Sequence, residues 1–447
     1  MREFLSKIEE SGGIAMLVGG AVIDVIQGLP IKDWDIEVYR LDMTAIESIL
    51  TDLDLTFDAV GKSFGVLKTR MMIEGELVEI DISIPRSENK TGVGHKDFQV
   101  TLNPNMTPLE AGRRRDLTIN SMYKNLHTGE IVDPFNGLED LRNGIIRVTD
   151  ETTFVEDPLR VLRIMQLLPR KGKTVDLHTI ELCRSMVDEF VHLPKERVFE
   201  EFCKLLLKTE RPSLGFEFLR ESGWIIHFPE LNALIDCPQN PKWHPEGDVW
   251  IHTMLVVDNA AKLRHNLPED LQLAYMFGAL LHDIGKPDTT VLPLCTAHGH
   301  DRVGAELSKV FLNRLTDNKK LIENVENIVR LHMLPGQLYT SQAKESGWKR
   351  LHNKLRLDVL GWISKADSSG RTGRSIEDIH EVSETCFEYF STFGEKAIEP
   401  IVKGRDLIAI GLEPGPQFKP ILDRAYELQI EGMDDVSEIL SSLDLPV

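Results

Sequence analysis

Cysteine is scarce and scattered in this chain. The five present in 447 residues, Cys183, Cys203, Cys237, Cys295 and Cys386, are odd in number and form no Cys-x-x-Cys pair. That pattern fits free thiols in a reducing cytoplasm rather than a disulfide framework. Long apolar runs are also missing. No stretch reaches the roughly 18 consecutive apolar residues of a membrane span, and Met1-Arg2-Glu3-Phe4-Leu5 leads into a charged segment, not a secretory one. A soluble, unprocessed, cytoplasmic chain with no membrane partner is expected. Basic side chains are outnumbered, 51 Lys and Arg against 71 Asp and Glu, for a formal charge of −20. A protein that grips phosphate backbones usually carries a basic footprint, so the composition alone argues against RNA. Lys344, Lys349, Arg350, Lys354, Arg356, Lys365, Arg371 and Arg374 nevertheless crowd one region. A local basic track and a solvated helix face are both open readings of that cluster.

With 42% apolar residues over this length, the chain can bury ordinary cores and is expected to form two to four domains. Up to about residue 140, short alternating runs such as Asp35-Ile36-Glu37-Val38-Tyr39 and Val78-Glu79-Ile80-Asp81-Ile82-Ser83-Ile84 are strand signals of an α/β unit. Beyond it apolar residues recur at helical spacing, as at Leu159, Leu162 and Met165. Asp236 to Pro241 and Ser368 to Gly373 read as linkers or loops.

Chemistry enters at Leu17-Val18-Gly19-Gly20-Ala21-Val22-Ile23-Asp24, where two glycines between an apolar run and a short helical pattern let bare amides approach a phosphate. On the glycines by themselves, a tight turn that needs glycine is the better explanation of the pair. Asp33-Trp34-Asp35-Ile36-Glu37-Val38 then alternates acid with apolar side chains, which in a strand puts Asp33, Asp35 and Glu37 on one face. Acids so close repel unless solvated or neutralised by a cation. Mg²⁺, a hard cation that takes a few carboxylates plus substrate phosphates, fits two acids two residues apart. Such a site suits in-line nucleotidyl transfer to a 3′-hydroxyl. A second strand offers Asp81 as a third carboxylate or as a solvent-facing edge acid.

Several separated blocks join these: Arg114-Arg115-Asp116-Leu117-Thr118-Ile119-Asn120, Asp133-Pro134-Phe135-Asn136-Gly137-Leu138, Glu156-Asp157-Pro158-Leu159-Arg160-Val161-Leu162-Arg163, and later Gly404 to Ile408 and Gly411 to Pro416. In order and spacing the chain resembles the bacterial, class II CCA-adding tRNA nucleotidyltransferases and the related poly(A) polymerases of the polymerase-beta-like superfamily. The resemblance implies an α+β fold with a nucleotidyltransferase α/β head at 1–141, followed by all-α neck (142–238), HD (239–375) and tail (376–447) regions. It implies metal binding by catalytic Asp33 and Asp35, nucleotide contacts by Gly20, Arg115, Arg160 and Arg163, base selection by Asp157 with Arg160, and tRNA, CTP and ATP as partners. Where the family usually has arginine after Gly-Gly-Ala-Val, this chain has Ile23. On chemistry alone, Asp157 and Arg160 are helix neighbours that pair an acceptor with a fork of donors, matching the amine and ring-nitrogen edge shared by cytosine and adenine. Helix capping by Asp157 is the plainer role for the same residue.

A second centre is signalled by Leu280-Leu281-His282-Asp283-Ile284-Gly285-Lys286, with His252 upstream and Asp367 downstream. Imidazole mixed with carboxylate suits a divalent transition metal that activates water toward a phosphoester. The constellation resembles the HD phosphohydrolases, which implies His252, His282, Asp283 and Asp367 as ligands. His300 and His332 stand open between a second metal and structural histidines, and Lys286 between phosphate binding and helix capping. The expected function is CCA addition with an accompanying HD hydrolase. The alternatives are poly(A) or partial CCA synthesis, and a phosphohydrolase whose head only binds nucleotide. The residues set no oligomeric state.

Overall fold

The computed structural model describes residues 1–61, 65–90, 98–371 and 376–443. Two units emerge, one of Met1–Thr209 with Leu214–His227 and one of Glu210–Ser213 with Phe228–Val447. All five cysteines are free. Among the described residues no helix is long and apolar enough to cross a membrane.

The first unit is built on a sheet of β1 (Ile14–Val18), β2 (Trp34–Tyr39), β3 (Phe57–Gly61), β4 (Val66–Ile73) and β5 (Glu76–Ser83). After a separate hairpin of β6 (Arg86–Lys90) and β7 (Phe98–Leu102), β8 (Tyr123–Asn125) and β9 (Ile131–Val132) complete that sheet, in the order β3-β4-β5-β2-β1-β8-β9. β2 is central, antiparallel to β1 and parallel to β5, in a register that sets Asp35 opposite Asp81. Its apolar side, with Ile36 and Val38, is fully buried against Ile46, Leu50, Ile80 and Ile82. A one-residue slip would turn that side to solvent and the acids to the core, so the pattern fixes the register.

Behind the sheet, the block Asp133 to Leu138 serves structure. The Asp133 carboxylate accepts from the amides of Gly137 and Leu138, and Asn136 adopts a left-handed φ of 58°. The helix Gly137–Asn143 is thereby started and packs on the turn Thr118–Asn120. That turn carries Asp116, whose Oδ1 accepts from Leu117 N and Asn120 Nδ2.

The second unit is helical. Asp248 and Asn318 cap Val249–Leu263 and Lys319–Leu331 by accepting from Ile251 N and Leu321 N, which satisfies donors a helix start leaves free. In the latter helix Leu321, Ile322, Val325, Ile328 and Val329 are buried, a 3.6-residue stripe that faces the core. The loop expected at Ser368 to Gly373 is corrected in part: Ser368, Ser369 and Gly370 close the helix Leu357–Gly370, while Thr372 and Gly373 lie outside the described residues. The continued turn brings Arg371 back onto Asp367, at 2.8 Å. Five of the eight residues of the basic cluster, Arg371 among them, are ion-paired within the chain. Lys349 meets Glu345, Arg350 meets Glu427, Arg356 meets Asp358 and Lys365 meets Glu384, and Arg374 lies outside the described residues.

A methyl group on Gly137 would stand 2.2 Å from the Thr118 carbonyl oxygen. Gly137→Ala is expected to cost about 1–3 kcal/mol by overpacking, measured by urea unfolding against Gly336→Ala, whose added carbon meets nothing within 4 Å on backbone that any residue adopts.

Candidate metal centres

The head site forms where β1, β2 and the Arg114–Arg115 turn converge. Gly19 has φ +64°, and a Cβ there would sit 3.8 Å from Arg115 Nη1 and 3.9 Å from Asp35 Oδ2. Gly20 opens the short helix Gly20–Ile26. Ile23, at the family's arginine position, is 1% exposed and belongs to the core.

The three acids on and just before β2 have separated fates. Glu37 is buried, accepts from Arg114 Nη2 at 3.1 Å, Arg115 Nη2 at 3.2 Å and the Tyr39 hydroxyl at 2.6 Å. Burial would raise its carboxyl, but Arg115 and Arg114 hold it below the ordinary range. Arg115 also lies over the Tyr123 ring at 5.4 Å, so its guanidinium is fixed from two sides. Asp33 precedes the strand and is exposed. Asp35 lies between these extremes. Burial, with Asp81 and Asp33 adding, pushes it up to about 6 although Arg115 and Lys68 pull the other way. Asp81 is met by Lys68 Nζ at 3.2 Å. A half-buried carboxylate raised by neighbouring acids is the setting a divalent cation relieves, so Asp33 and Asp35 fit a hard metal.

The other expected nucleotide contacts are anchored within the same first unit. Arg160 donates to the carbonyls of Thr153 (2.8 Å) and Arg114 (2.6 Å). Asp157 Oδ1 accepts from Leu159 N at 3.1 Å, the capping role, which leaves Oδ2 with only Arg197 at 4.0 Å. Arg163 Nε meets Asp116 Oδ2 at 2.6 Å. Burial opposes ionisation of Asp116, yet Arg163 brings it down to about 2.

The helical unit gathers its ligand-type side chains from five helices or their ends. His252 Nε2 is 3.1 Å from Asp367 Oδ1 and 3.8 Å from Asp283 Oδ2, and His282 Nε2 is 3.1 Å from that same oxygen. His300 Nε2 lies 3.4 Å from Asp283 Oδ1 and 3.3 Å from His332 Nε2. His300 and His332, left open by the sequence, thus stand beside the four expected residues. Two groupings, His252 with His282 and Asp367 and Asp283 with His300 and His332, each bring their ligand atoms within 4.8 Å of one another.

All four imidazoles are turned the same way. Nδ1 of His252 faces Glu246 Oε1 at 2.8 Å, and Nδ1 of His282, His300 and His332 faces the carbonyls of Ala279, Ala297 and Val329 at 2.8, 2.7 and 2.6 Å. Carbonyl oxygens only accept, so Nδ1 of His282, His300 and His332 carries the proton and leaves Nε2 as the inward-facing atom, whereas His252 has a carboxylate at each ring nitrogen, and although burial opposes its charge, Asp367 and Glu246 raise its pKa. Among the described residues the buried His282 Nε2 has Asp283 Oδ2 beside it at 3.1 Å but out of hydrogen-bonding alignment. Lone pairs facing one another and two carboxylates are costly until a cation lies between them, and nitrogen mixed with oxygen donors suits a divalent metal. Burial would raise Asp283 and Asp367, but His282 with Lys286, and Arg371 with His252, hold them well below the carboxylate range. Burial, then His282 and His300, lowers His332 to about 4. Lys286 spans Asp283 Oδ2 and Gln239 Oε1, both at 2.6 Å.

Gly285 explains how the ligands come so close. A Cβ there would lie 2.2 Å from the His300 carbonyl and 2.6 Å from Gly304 N, so only glycine lets the helix His300–Asn313 reach the His282-Asp283 turn. Sequence reasoning missed Glu246, whose Oε1 accepts from both His252 and His244. Nothing distinguishes a carboxylate six residues before a ligand from any other.

Comparison with known proteins agrees with this division. The Poly A polymerase head domain matches residues 15–147, the probable RNA and SrmB-binding site of polymerase A residues 174–235, and the HD domain residues 249–368. A multifunctional CCA protein of Psychromonas ingrahamii is 32% identical over 402 residues, which cover 87% of this chain and 92% of that one. An apo CCA-adding enzyme structure covers 98% of this chain and 93% of its own with a TM-score of 0.66 at 19% identity. The Thermotoga maritima CCA-adding enzyme complexed with tRNA covers 98% and 93% with a TM-score of 0.61 at 18% identity. A chain with a metal-ready carboxylate strand in its head and a histidine-lined centre in its helical half thus aligns with nearly the full length of a multifunctional CCA protein, and it belongs to the multifunctional CCA protein family.

Proposed function

We propose that the protein is a tRNA nucleotidyltransferase of the cytoplasm that builds CCA on tRNA 3′ ends from CTP and ATP, and that its helical unit is a metal phosphohydrolase. The observation that carries the first part is Asp35, half-buried among Asp81 and Asp33 and pushed up by burial and by those acids beyond what Arg115 and Lys68 offset, while Glu37 takes the arginines directly. In this reading Asp33 and Asp35 hold Mg²⁺. The ion, when bound, supplies charge that acidifies the 3′-hydroxyl and offsets the triphosphate. Arg115, fixed by Glu37 and Tyr123, offers a guanidinium to phosphate oxygens, and the amides at Gly19 and Gly20 lie beside it. Arg163 is oriented by Asp116. Asp157, through Oδ2, accepts from the exocyclic amine of cytosine or adenine, and Arg160 donates to the ring nitrogen. Guanine and uracil present a carbonyl oxygen where the amine would be, so Asp157 faces an acceptor and both are disfavoured. A four-part division into head, neck, HD and tail at 1–141, 142–238, 239–375 and 376–447 accompanies the proposal.

For the helical unit we infer that His252, His282, Asp283 and Asp367 hold one divalent transition metal and that Asp283, His300 and His332 frame a second. Bound there, such a metal lowers the pKa of water for attack on a phosphoester. Glu246 keeps His252 in the ligating tautomer, and Lys286 places a cation beside the carboxylate that the two groupings share.

Three outcomes test this. Incubated with tRNA lacking its 3′ end and with single nucleotides, the wild type incorporates CMP and AMP and stops at a discrete length, whereas a long ladder with ATP alone would mark a poly(A) polymerase. Asp33→Ala or Asp35→Ala drops incorporation by about a thousandfold or more, as loss of a metal-borne transition-state charge does, while phosphoester hydrolysis persists and His282→Ala shows the reverse. Metal binding to the head is pH-dependent. Because Asp35 titrates at about 6 rather than 3.8, the folded chain keeps a proton that the unfolded chain loses, and the metal-free protein loses stability as pH rises across that window. Protons compete with the metal over the same range. Mn²⁺ affinity at the head weakens by on the order of tenfold per pH unit below that value, read as the difference between wild type and Asp35→Asn isotherms.

A further inference from the structure

The histidine-lined centre opens into a cavity of about 310 Å³ that extends beyond the ligands to Asn240, Trp243, Thr296 and His298. Trp243 is 50% exposed, the one exposed tryptophan of the six in the chain. Half of a large aromatic surface left in water is costly for a side chain with no solvent role, and this one lies in the wall of a site.

The ring is held by a fixed frame. Asn240 accepts the amides of Trp243 and His244 on its carbonyl oxygen, takes the Lys242 amide on its side chain and donates to the Leu294 carbonyl. The next residue, His244, is bound to Glu246, which also orients His252. Trp243 is therefore two short links from a ligand of the centre. Lys242 Nζ lies 5.0 Å from the ring centroid, so the indole already stacks against one cation. The Leu294 carbonyl belongs to the loop that also brings Thr290, Cys295 and Thr296 to the wall of the cavity. At the other end of the cavity Lys286 and Arg371 accompany the carboxylates. A charged floor and an aromatic rim in one cavity define a ligand with a phosphate at one end and a flat ring at the other, and the volume suits a mononucleotide.

We propose that Trp243 is the base-stacking platform of the helical centre and that it makes the centre selective for nucleoside phosphates over phosphate esters that lack a ring. The inference rests on the phosphohydrolase reading above and adds the residue that sets its specificity.

The test compares 2′-AMP with β-glycerophosphate on the metal-loaded full chain, together with fluorescence quenching by 2′-AMP. Trp243→Ala raises KM for 2′-AMP about tenfold, the size of one lost base stack, with kcat within twofold and β-glycerophosphate kinetics unchanged. Trp243→Phe recovers most of the KM, and the quenching seen with wild type is reduced in that variant. Equal losses on both substrates would show that Trp243 only supports the fold of the loop, and overturn the proposal. If the wild type hydrolyses neither substrate, the hydrolase reading fails by itself. Quenching that depends on Trp243 would then still uphold the platform, and its absence would refute it.

Discussion

A carboxylate taken out of water must be met by a cation, and both halves of the protein are organised by whether the chain supplies that cation itself. Glu37 is fully buried and has two arginines and a tyrosine hydroxyl around it. Asp116 has Arg163. These groups are complete and serve to aim other side chains. Asp35, two residues from Glu37 on the same strand, is pushed up to about 6 by burial, with Asp81 and Asp33 adding to it. The helical half repeats the contrast with nitrogen. Three histidines spend their Nδ1–H groups on backbone carbonyls, His252 is held between the carboxylates of Glu246 and Asp367, and the four Nε2 atoms converge around Asp283 and Asp367. Sites that are complete hold the frame, and sites that are incomplete are where chemistry is expected.

The two centres achieve this by different architectures. In the head, the register of one parallel strand pair sets Asp35 opposite Asp81, so the spacing of the acids follows from the pleat. In the helical unit no single element carries the site. The helices Val249–Leu263 and Leu357–Gly370 and the ends of three others each deliver one or two side chains. Their approach depends on Gly285, which leaves no room for a side chain against His300. A strand-borne site tolerates small shifts of its neighbours. A site assembled from helix ends requires those ends to be fixed by packing and by bonds such as Glu246 to His252.

Much of the head was legible because alternation is local. The period of two marks Asp35 and Glu37 as one face and the apolar residues as the other. What alternation cannot show is that Glu37 would be sealed by arginines 77 and 78 positions away, a consequence of the sheet bringing the Arg114–Arg115 turn beneath the strand. Asp157 and Arg160 were readable as helix neighbours, but their bonds to Leu159, Thr153 and Arg114 depend on the turn before the helix. The block from Asp133 to Leu138 stood out as a motif, and its work is to start a helix. For the helical centre, His282-Asp283 was visible as a dipeptide. His300, His332 and Glu246 acquired meaning only once the ends of several helices met, since a lone histidine carries no periodic signal.

The surface arginines bear on how the molecule meets a polyanion. Lys349, Arg350, Arg356 and Lys365 are each already engaged with an acid of the same chain. A cation that must first leave an internal partner gains little by meeting a phosphate and displaces few condensed ions from it. With a formal charge of −20, the remaining exterior repels nucleic acid at long range. Binding to RNA must therefore come from contoured contact at particular places, and a finished product is not retained by indiscriminate attraction.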